Sequence, residues 1–380
     1  MEWLPILITG LLLLLFVNML FNLRNLNDST LPPQLLEGVQ PDFFPFVSVL
    51  VPARNEEDNI ASCLLSLTYQ NYPHYEILVL DDNSTDKTLK IAREIARSSP
   101  RIRIIRGKKL PPGWNGKNWA CDQLARKARG EWLLLTDADT VHSPHSISTA
   151  VMMAQKNQAH FLTTIPGLLL KTWAEKLLLP IIHFAFAVLV PFHLGQYSQI
   201  SRLPIGIGPF LLVKRNFLEK IGGYGAIRDE IVDDIALANH VQNNAGRITV
   251  IDGLALFKVR FYRSFSEIWR GFSKNAYPAI GAHPYFVPFI IVGAYFLFIQ
   301  PYLKLWLAIQ SGHELTLPLI QVFLISMMKI FLALKFETSF LFGLLHPLSI
   351  AIWLLILLNS MRLSLFKKKF EWKERYYPID

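Results

Sequence analysis

Residues 133–140 read LLLTDADT: three leucines and a threonine run straight into Asp137-Ala138-Asp139, two carboxylates separated by one alanine. With Glu131 and Trp132 in front, the stretch predicts a buried strand that ends in acid. Working upstream, FVSVLVPA at 46–53 is a β-branched apolar run, and 55–70 reads as a helix with Ile60, Leu64 and Leu67 on one face. EILVL at 76–80 is a second apolar strand and leads into Asp81-Asp82-Asn83-Ser84-Thr85-Asp86. A helix at 86–97, a short strand RIRII at 101–105 and a helix at 117–128 complete the alternation. Strands that are apolar throughout, rather than on alternate residues, belong to a parallel sheet covered on both faces. The fold class is therefore α/β. In such sheets ligands bind beyond the carboxyl ends of the strands. Both acidic clusters sit at strand carboxyl ends, so they are expected to share one crevice.

Carboxylates at a strand end are costly unless something neutralises them. A hard divalent cation does so, because it prefers oxygen ligands, and Asp-X-Asp places two carboxylates around one ion that also grips a diphosphate. The rival reading is an Asx-turn with the aspartates capping the next helix. Farther along, LPIGIGPFLLV carries Gly206 and Gly208, which permit close backbone approach to a ligand. Next comes RDEIVDDIALA, with Asp229, Glu230, Asp233 and Asp234 in competition for any catalytic role. An acidic helix N-terminus held by the dipole is the plain alternative.

The chain has 380 residues, of which 52% are hydrophobic, and a mean hydropathy of +0.30, which calls for membrane segments. Residues 4–23 carry no charge and suffice to span a bilayer. A cleaved signal peptide needs a basic n-region and a small-residue cleavage site, and neither is present. Arg24 follows the segment, so the positive-inside rule places the next domain in the cytoplasm. Further spans are expected at about 285–309, 315–335 and 339–359, ahead of a basic tail from Lys367 to Arg375. Three crossings would put that tail outside, so either one segment is re-entrant or the tail disobeys the rule. Lys329 makes the second span the weakest of the three. Residues 177–195 are apolar too. If they crossed the bilayer, Asp139 and Asp234 would lie on opposite sides, so the segment is expected to lie in the interface or dip in and out. The resulting layout is a helix at 1–24, a linker at 25–45, a catalytic domain at 46–283, membrane helices at 284–360 and a tail at 361–380. The net charge of +9 suits anionic lipid or a phosphorylated substrate; scattered basic residues argue against nucleic acid. Cys63 and Cys121 make neither a disulfide framework nor a zinc constellation.

The order PARNE, DDNSTD, DAD resembles the inverting glycosyltransferases of family 2, with the GT-A fold: a Rossmann-like, mostly parallel sheet, here in a cytoplasmic domain flanked by transmembrane helices. The likeness covers roughly residues 46–275. The membrane layout resembles carotenoid glucosyltransferases of the hydroxychlorobactene type, with ceramide glucosyltransferase more distant. The tail EWKERYY resembles the W-K-G-R-Y ending of the carotenoid group, with Glu374 in place of the glycine. The resemblance implies that Pro52, Ala53, Arg54 and Glu56 line a nucleotide pocket and that Asp82 holds uracil or ribose. It implies that Asp137 lies over the nucleotide and that Asp139, with Asp137 beside it, binds Mg²⁺ or Mn²⁺ as a Lewis acid for the leaving diphosphate. The loop LPPGWNGKNWA at 110–120 is typical of the carotenoid-type relatives. Its Lys117 either pairs with the diphosphate or is an ordinary helix-start lysine. The family takes its base from a Glu-Asp pair; Asp233-Asp234 matches, with Asp for Glu, which makes Asp234 the base. Gly208 falls on a strand that floors the acceptor site.

FYRSFSEIWRGFSKN stands where processive synthases carry Q-x-x-R-W. Trp269-Arg270 is reversed and the glutamine is absent, which favours single transfer over polymer synthesis. Trp269, Arg270 and Lys274 then approach the diphosphate or acceptor, or anchor the chain at the membrane interface. The reading is a multi-pass enzyme that moves one hexose, glucose first, from a UDP-sugar to an apolar lipid such as a carotenoid. A ceramide, hopanoid or glycerolipid acceptor is the alternative, and a catalytically inactive membrane scaffold is the reading from another class.

Overall fold

The structure is a computed structural model. It describes residues 3–26, 44–191, 205–281, 283–312, 314–366 and, as backbone, 369–372 and 375–378. Of the linker expected at 25–45, residues 27–43 lie outside the described residues, as do 192–195 of the apolar segment and Lys373-Glu374 of the tail motif.

Helix α1 (Trp3–Asn25) precedes a run of β1 (Val47–Ala53), α2 (Ile60–Thr68), β2 (Tyr75–Asp81), α3 (Thr88–Arg97), β3 (Ile102–Arg106), α4 (Gly116–Lys127) and β4 (Trp132–Thr136). β5 (Thr140–His142), α5 (Ser146–Lys156), β6 (Phe161–Leu168), β7 (Phe210–Lys214) and β8 (Ile248–Val259) complete an eight-stranded sheet of order β3-β2-β1-β4-β7-β6-β8-β5. β3, β2, β1 and β4 are mutually parallel. β7 runs antiparallel to both β4 and β6, and β5 antiparallel to β8, so the far half is mixed. The apolar strands bury both faces, as their composition requires. Val47, Val49 and Val51 pack on one side with Ile60, Leu64 and Leu67. Leu50, Leu78 and Leu133 pack on the other with Leu124, Leu211 and Leu237.

After β6 come α6 (Trp173–Leu178) and α7 (Ile181–Phe184), and then a π-turn at Ala185–Leu189. The stretch is therefore broken, and Val190 leaves it in extended conformation. A broken helix frees carbonyl groups that need donors. Asn18 and Asn22 of α1 supply them: Asn18 Nδ2 donates to Val188 O at 2.8 Å, and Asn22 Nδ2 donates to Ala187 O at 2.9 Å and Val190 O at 2.6 Å.

Downstream lie α8 (Arg215–Lys220), α9 (Asp233–Asn243), α10 (Phe265–Ile280), α11 (Phe286–Ser311), α12 (Thr316–Lys335), α13 (Phe340–Gly343) and α14 (His346–Phe366). Among the described residues α1, α11, α12 and α14 are long and apolar enough to cross a membrane. They expose Phe289, Trp306, Leu334 and Leu355, a surface suited to lipid. The last of these helices starts at His346 rather than near 339. Glu337, at φ 52°, turns the chain, and α13 takes up the intervening residues. Lys335 Nζ lies 2.7 Å from Asp252 Oδ2 on β8, which ties the end of α12 to the sheet domain.

Candidate active site

β1, β2 and β4 end side by side because their registers align: Ala53 opposes Asp81, and Leu50 opposes Leu135. Residues 55–59, expected as the start of a helix, form a loop instead, with Asn55 at φ 50°, and Asn83 at φ 55° turns the loop after β2. Asparagine tolerates this left-handed region better than most side chains. The two loops are zipped together. Asn55 N–H donates to Ser84 Oγ at 3.1 Å, Asn55 Oδ1 accepts from Thr85 N–H at 2.9 Å, and Glu56 N–H donates to Thr88 Oγ1 at 2.7 Å. Arg54 is nearly buried, and its Nη1 donates to the Asp82 and Asn83 carbonyls at 2.6 and 3.0 Å. Arg54 thus braces the DDNS loop. Pro52 and Ala53 form the strand end beneath it, and the Glu56 carboxylate accepts from Asn59 Nδ2 at 2.8 Å. Asp81 and Asp82 are both buried. Asp81 Oδ1 has no hydrogen-bond partner among the described residues, so it is an acceptor that a ligand's N–H or O–H would satisfy.

The Asp137-Ala138-Asp139 turn is closed by Thr140, whose Oγ1 donates to the Asp137 carbonyl at 2.8 Å. The helix that follows begins only at Ser146, so neither aspartate caps it. The Asp137 carboxylate is spent on Lys117, whose Nζ lies 3.0 Å from Asp137 Oδ1 and 3.4 Å from Asp233 Oδ2. Burial works against the charge on this lysine, but Asp137 and Asp233 outweigh it and hold its pKa well above the ordinary value. Lys117 therefore joins the β4 end to the start of α9.

Two asparagines flank that lysine in sequence. Asn115 Nδ2 donates to the Asp229 and Glu230 carbonyls at 3.1 and 2.6 Å. Asn118 Nδ2 donates to the Ile227 and Glu230 carbonyls at 2.7 and 3.0 Å. The WNGKNW stretch is thus a clip on the chain just ahead of Asp233-Asp234. Asp229 and Glu230 themselves are exposed, which separates them from the pair.

Asp234 sits in the first turn of α9. Its Oδ2 accepts from Gly208 N–H at 2.7 Å and its Oδ1 from Ile235 N–H at 2.8 Å. The close approach permitted by the glycines is made to this residue. A Cβ on Gly206 would lie 2.0 Å from the Asp234 carbonyl oxygen, and one on Gly208 would lie 3.1 Å from Asp234 Oδ2. Burial, then the charge of Asp233, raises the Asp234 carboxyl to about 6; Lys117 and the two N–H donors pull the other way.

The turn at 260–264 and α10, which packs against α14, border the site. Burial lowers the Lys274 ammonium to about 8, with the charge of Asp233 favouring and that of Lys117 opposing its charged form. Tyr262 faces the acidic turn: burial raises its phenol, and Asp139 adds to the rise. Arg263 reaches back to the β1 loop, with Nη1 2.7 Å from Asp58 Oδ2 and Nη2 2.9 Å from Asn59 Oδ1. Two residues stand apart from this group. Trp269 packs against Phe265 and the apolar cluster around Leu177 and Leu178. Arg270 is exposed, and its Nε donates to Ser266 O on its own helix at 3.4 Å.

No three His, Cys, Asp or Glu side chains among the described residues are placed to hold a metal ion by themselves. The donor set nevertheless suits Mg²⁺ or Mn²⁺, which take one or two carboxylates and complete their shell with phosphate oxygens and water. The Lys117 ammonium already stands where Asp137 needs a cation. Asp137 and Asp139 are the carboxylates that fit such an ion.

Residues 48–222 match the family described as Glycosyl transferase family 2. The chain carries a family 2 glycosyltransferase domain. The match ends before Asp233 and Asp234. A beta-monoglucosyldiacylglycerol synthase of Nostoc sp. is 35% identical over 116 residues, 30% of this chain and 24% of its own. The aligned part thus spans about a quarter of that relative's length. A 4,4'-diaponeurosporenoate glycosyltransferase of Staphylococcus aureus is 24% identical over 345 residues, 88% of each chain. Among solved structures, a mannosyltransferase from Pyrobaculum calidifontis in complex with GDP-Man and Mn2+ superposes with a TM-score of 0.59 at 21% identity. That superposition covers 97% of this chain and 99% of the other. The fold is GT-A.

Proposed function

We propose that the protein is a membrane-bound inverting glycosyltransferase that moves one hexose from a UDP-sugar to an apolar lipid, with a carotenoid-type acceptor first and a glycerolipid, ceramide or hopanoid second. The observation that carries this reading is Asp234. It is a carboxylate raised to about 6, hydrogen-bonded to Gly208 in the turn that leads into β7 rather than on the strand expected there, next to a lysine that also holds the Asp137 turn. A base needs a pKa near the working pH and a fixed direction. Asp234 has both: the Gly208 and Ile235 N–H groups orient its oxygens, and burial keeps it from being too weak a base.

In this reading the donor's nucleoside lies against the braced loops at 54–59 and 82–88. Asp81 and Asp82 are the buried acceptors for uracil or ribose. Asp139, with Asp137, holds the divalent cation, which when bound supplies positive charge to the departing diphosphate. Lys117 and Lys274 add fixed positive charge beside that diphosphate. Asp234 takes the proton from the acceptor hydroxyl as its oxygen bonds to the anomeric carbon and the bond to the diphosphate breaks on the opposite face. A carboxylate acceptor would arrive ionised and would need Asp234 only for orientation. The broken segment at 173–191, wedged between α1 and α14, is the route by which a lipid reaches the sheet domain. Arg24 after the first span favours a multi-pass protein with this domain in the cytoplasm.

The relatives named for lipid and carotenoid glycosylation support the acceptor class. The test is a transfer assay with full-length protein in lipid, given UDP-glucose or GDP-mannose, Mg²⁺ or Mn²⁺ and a lipid extract, with products read by mass. A lipid heavier by one hexose supports the reading and names the acceptor. Absence of product together with absence of nucleotide binding would favour the scaffold.

A further inference from the structure

Away from the acidic crevice, α6, α7, α12, α13 and the start of α14 line a small, partly open pocket. Its lining includes Lys176, His183, Lys329, Ser339, His346 and Ser349, and no carboxylate. His346 is fully buried, and neither ring nitrogen has a hydrogen-bond partner among the described residues. His183 is equally buried. One of its ring nitrogens lies 2.9 Å from the Pro166 carbonyl, while Nδ1 has no partner. The Lys329 ammonium lies 5.3 Å from the centre of the Phe184 ring. Buried polar groups are nearly always satisfied, and a cation within an apolar span marks a binding site unless it is paired. Two ammonium groups and the unsatisfied His346 imidazole around one space, with no acid, form a receptor for an oxyanion, while His183 gives its one N–H to Pro166. The walls beyond it are apolar: Leu332, Ala333 and Phe342.

We propose that this cavity binds the phosphate of an anionic membrane lipid. The headgroup oxygens take hydrogen bonds from Lys329, Lys176 and His346, while the acyl chains lie along the exposed apolar faces of α12 and α14. A bound lipid there would brace the joint where the broken segment meets the membrane helices. The same oxyanion chemistry would accept free phosphate, so the test separates the two sources.

Full-length protein is purified in detergent and delipidated. Phosphatidylglycerol, phosphatidylcholine or inorganic phosphate is then added, and retained ligand is read by native mass spectrometry alongside the melting temperature. The expected result is one tightly retained phosphatidylglycerol, a rise in melting temperature, and no such response to phosphatidylcholine. Lys329→Met and, as a milder variant outside the spans, Lys176→Gln should each weaken retention at least tenfold. Lys304→Met, which removes an exposed lysine elsewhere on α11, should leave it unchanged. Equal loss in all three variants would mean general charge attraction and would overturn the site. Retention unaffected by Lys329→Met and Lys176→Gln would overturn it as well. A melting rise with millimolar phosphate and none with phosphatidylglycerol would overturn the lipid assignment in favour of a free anion.

Discussion

Asp234→Asn is the substitution that separates chemistry from folding. The native carboxyl is raised from 3.8 to about 6, chiefly by burial and then by Asp233. A raised carboxyl favours the protonated native state, so ionisation costs stability. That cost is absent below the unfolded value, grows as pH rises from about 4 to about 6, and is complete above that window. Its full size is about 3 kcal/mol. The asparagine carries no charge and avoids this cost. Its carbonyl keeps the hydrogen bond from Gly208, while its amide faces the Ile235 N–H and loses that bond, at about 1–3 kcal/mol. The variant at neutral pH should therefore be as stable as the parent or more so. Turnover should fall by about 10²–10⁴, the usual worth of a general base, while the Kd for UDP with Mn²⁺ stays within about twofold because only the proton acceptor has gone. The parent's kcat should rise with pH and level off above about 6, reporting the Asp233–Asp234 pair. The assay is hexose transfer in nanodiscs from pH 5 to 8, paired with calorimetric UDP binding and thermal melts. A variant with parental turnover, or a parental rate that is flat across that range, would refute the assignment.

Removing Lys117 as Lys117→Met takes away a cation that lowers the Asp234 pKa, so the acid limb of the rate profile should move to higher pH; an unmoved limb would break the electrostatic link. Asp139→Ala should weaken metal-dependent UDP binding at least tenfold while leaving metal-free binding alone, and unchanged titrations would remove it as a ligand. Asn118→Ala takes one hydrogen bond from each of the Ile227 and Glu230 carbonyls, which keep the Glu230 N–H and Asn115 Nδ2 as donors, at about 0.5–1.5 kcal/mol per bond lost. It should lower kcat more than it raises the donor KM, which steady-state kinetics would resolve. Gly206→Ala would drive a Cβ to within 2.0 Å of the Asp234 carbonyl oxygen, an overpacking worth about 1–3 kcal/mol; thermal melts with no loss would contradict that packing.

The parallel half of the sheet was readable because its strands are apolar on both faces while its helices are not. β2, for example, is buried from Tyr75 to Asp81. Boundaries set by backbone conformation were not readable. Asn55 in the left-handed region delays α2 to Ile60, and Glu337 does the same for the last membrane helix. The antiparallel β7 was hidden because its partners β4 and β6 lie far from it in sequence. Within the site, the aspartates stood out because charge at a strand end is rare. Tyr262, Arg263, Asn115 and Asn118 did not, since their meaning lies in contacts across 205 residues for Arg263 to Asp58 and 109 residues for Asn118 to Ile227. Asp81 was passed over for its neighbour, because both are buried and only the missing hydrogen-bond partner of Asp81 Oδ1 tells the two apart.

The charge balance of the crevice bears on why a donor would arrive with a cation. Asp137, Asp233 and Asp234 surround Lys117, with Asp139 two residues on from Asp137, so with these carboxylates, Lys117 and Lys274 all ionised the crevice is negative before any ligand enters. A diphosphate brought in alone would add about two further negative charges at low local dielectric, where repulsion within 4–6 Å costs several kcal/mol. A diphosphate brought in with a divalent cation adds none, and the carboxylates that repel the first attract the second. The same balance bears on Asp234. Burial, then the charge of Asp233, raises its pKa, and the Asp233 carboxylate lies 3.4 Å from the Lys117 ammonium. In the proposed reading, a lysine shared between the Asp137 turn and the Asp233–Asp234 pair would let the donor half of the site set the basicity of the acceptor half. This coupling gives a physical reason for the clip of Asn115 and Asn118, which fixes where that lysine and that pair meet.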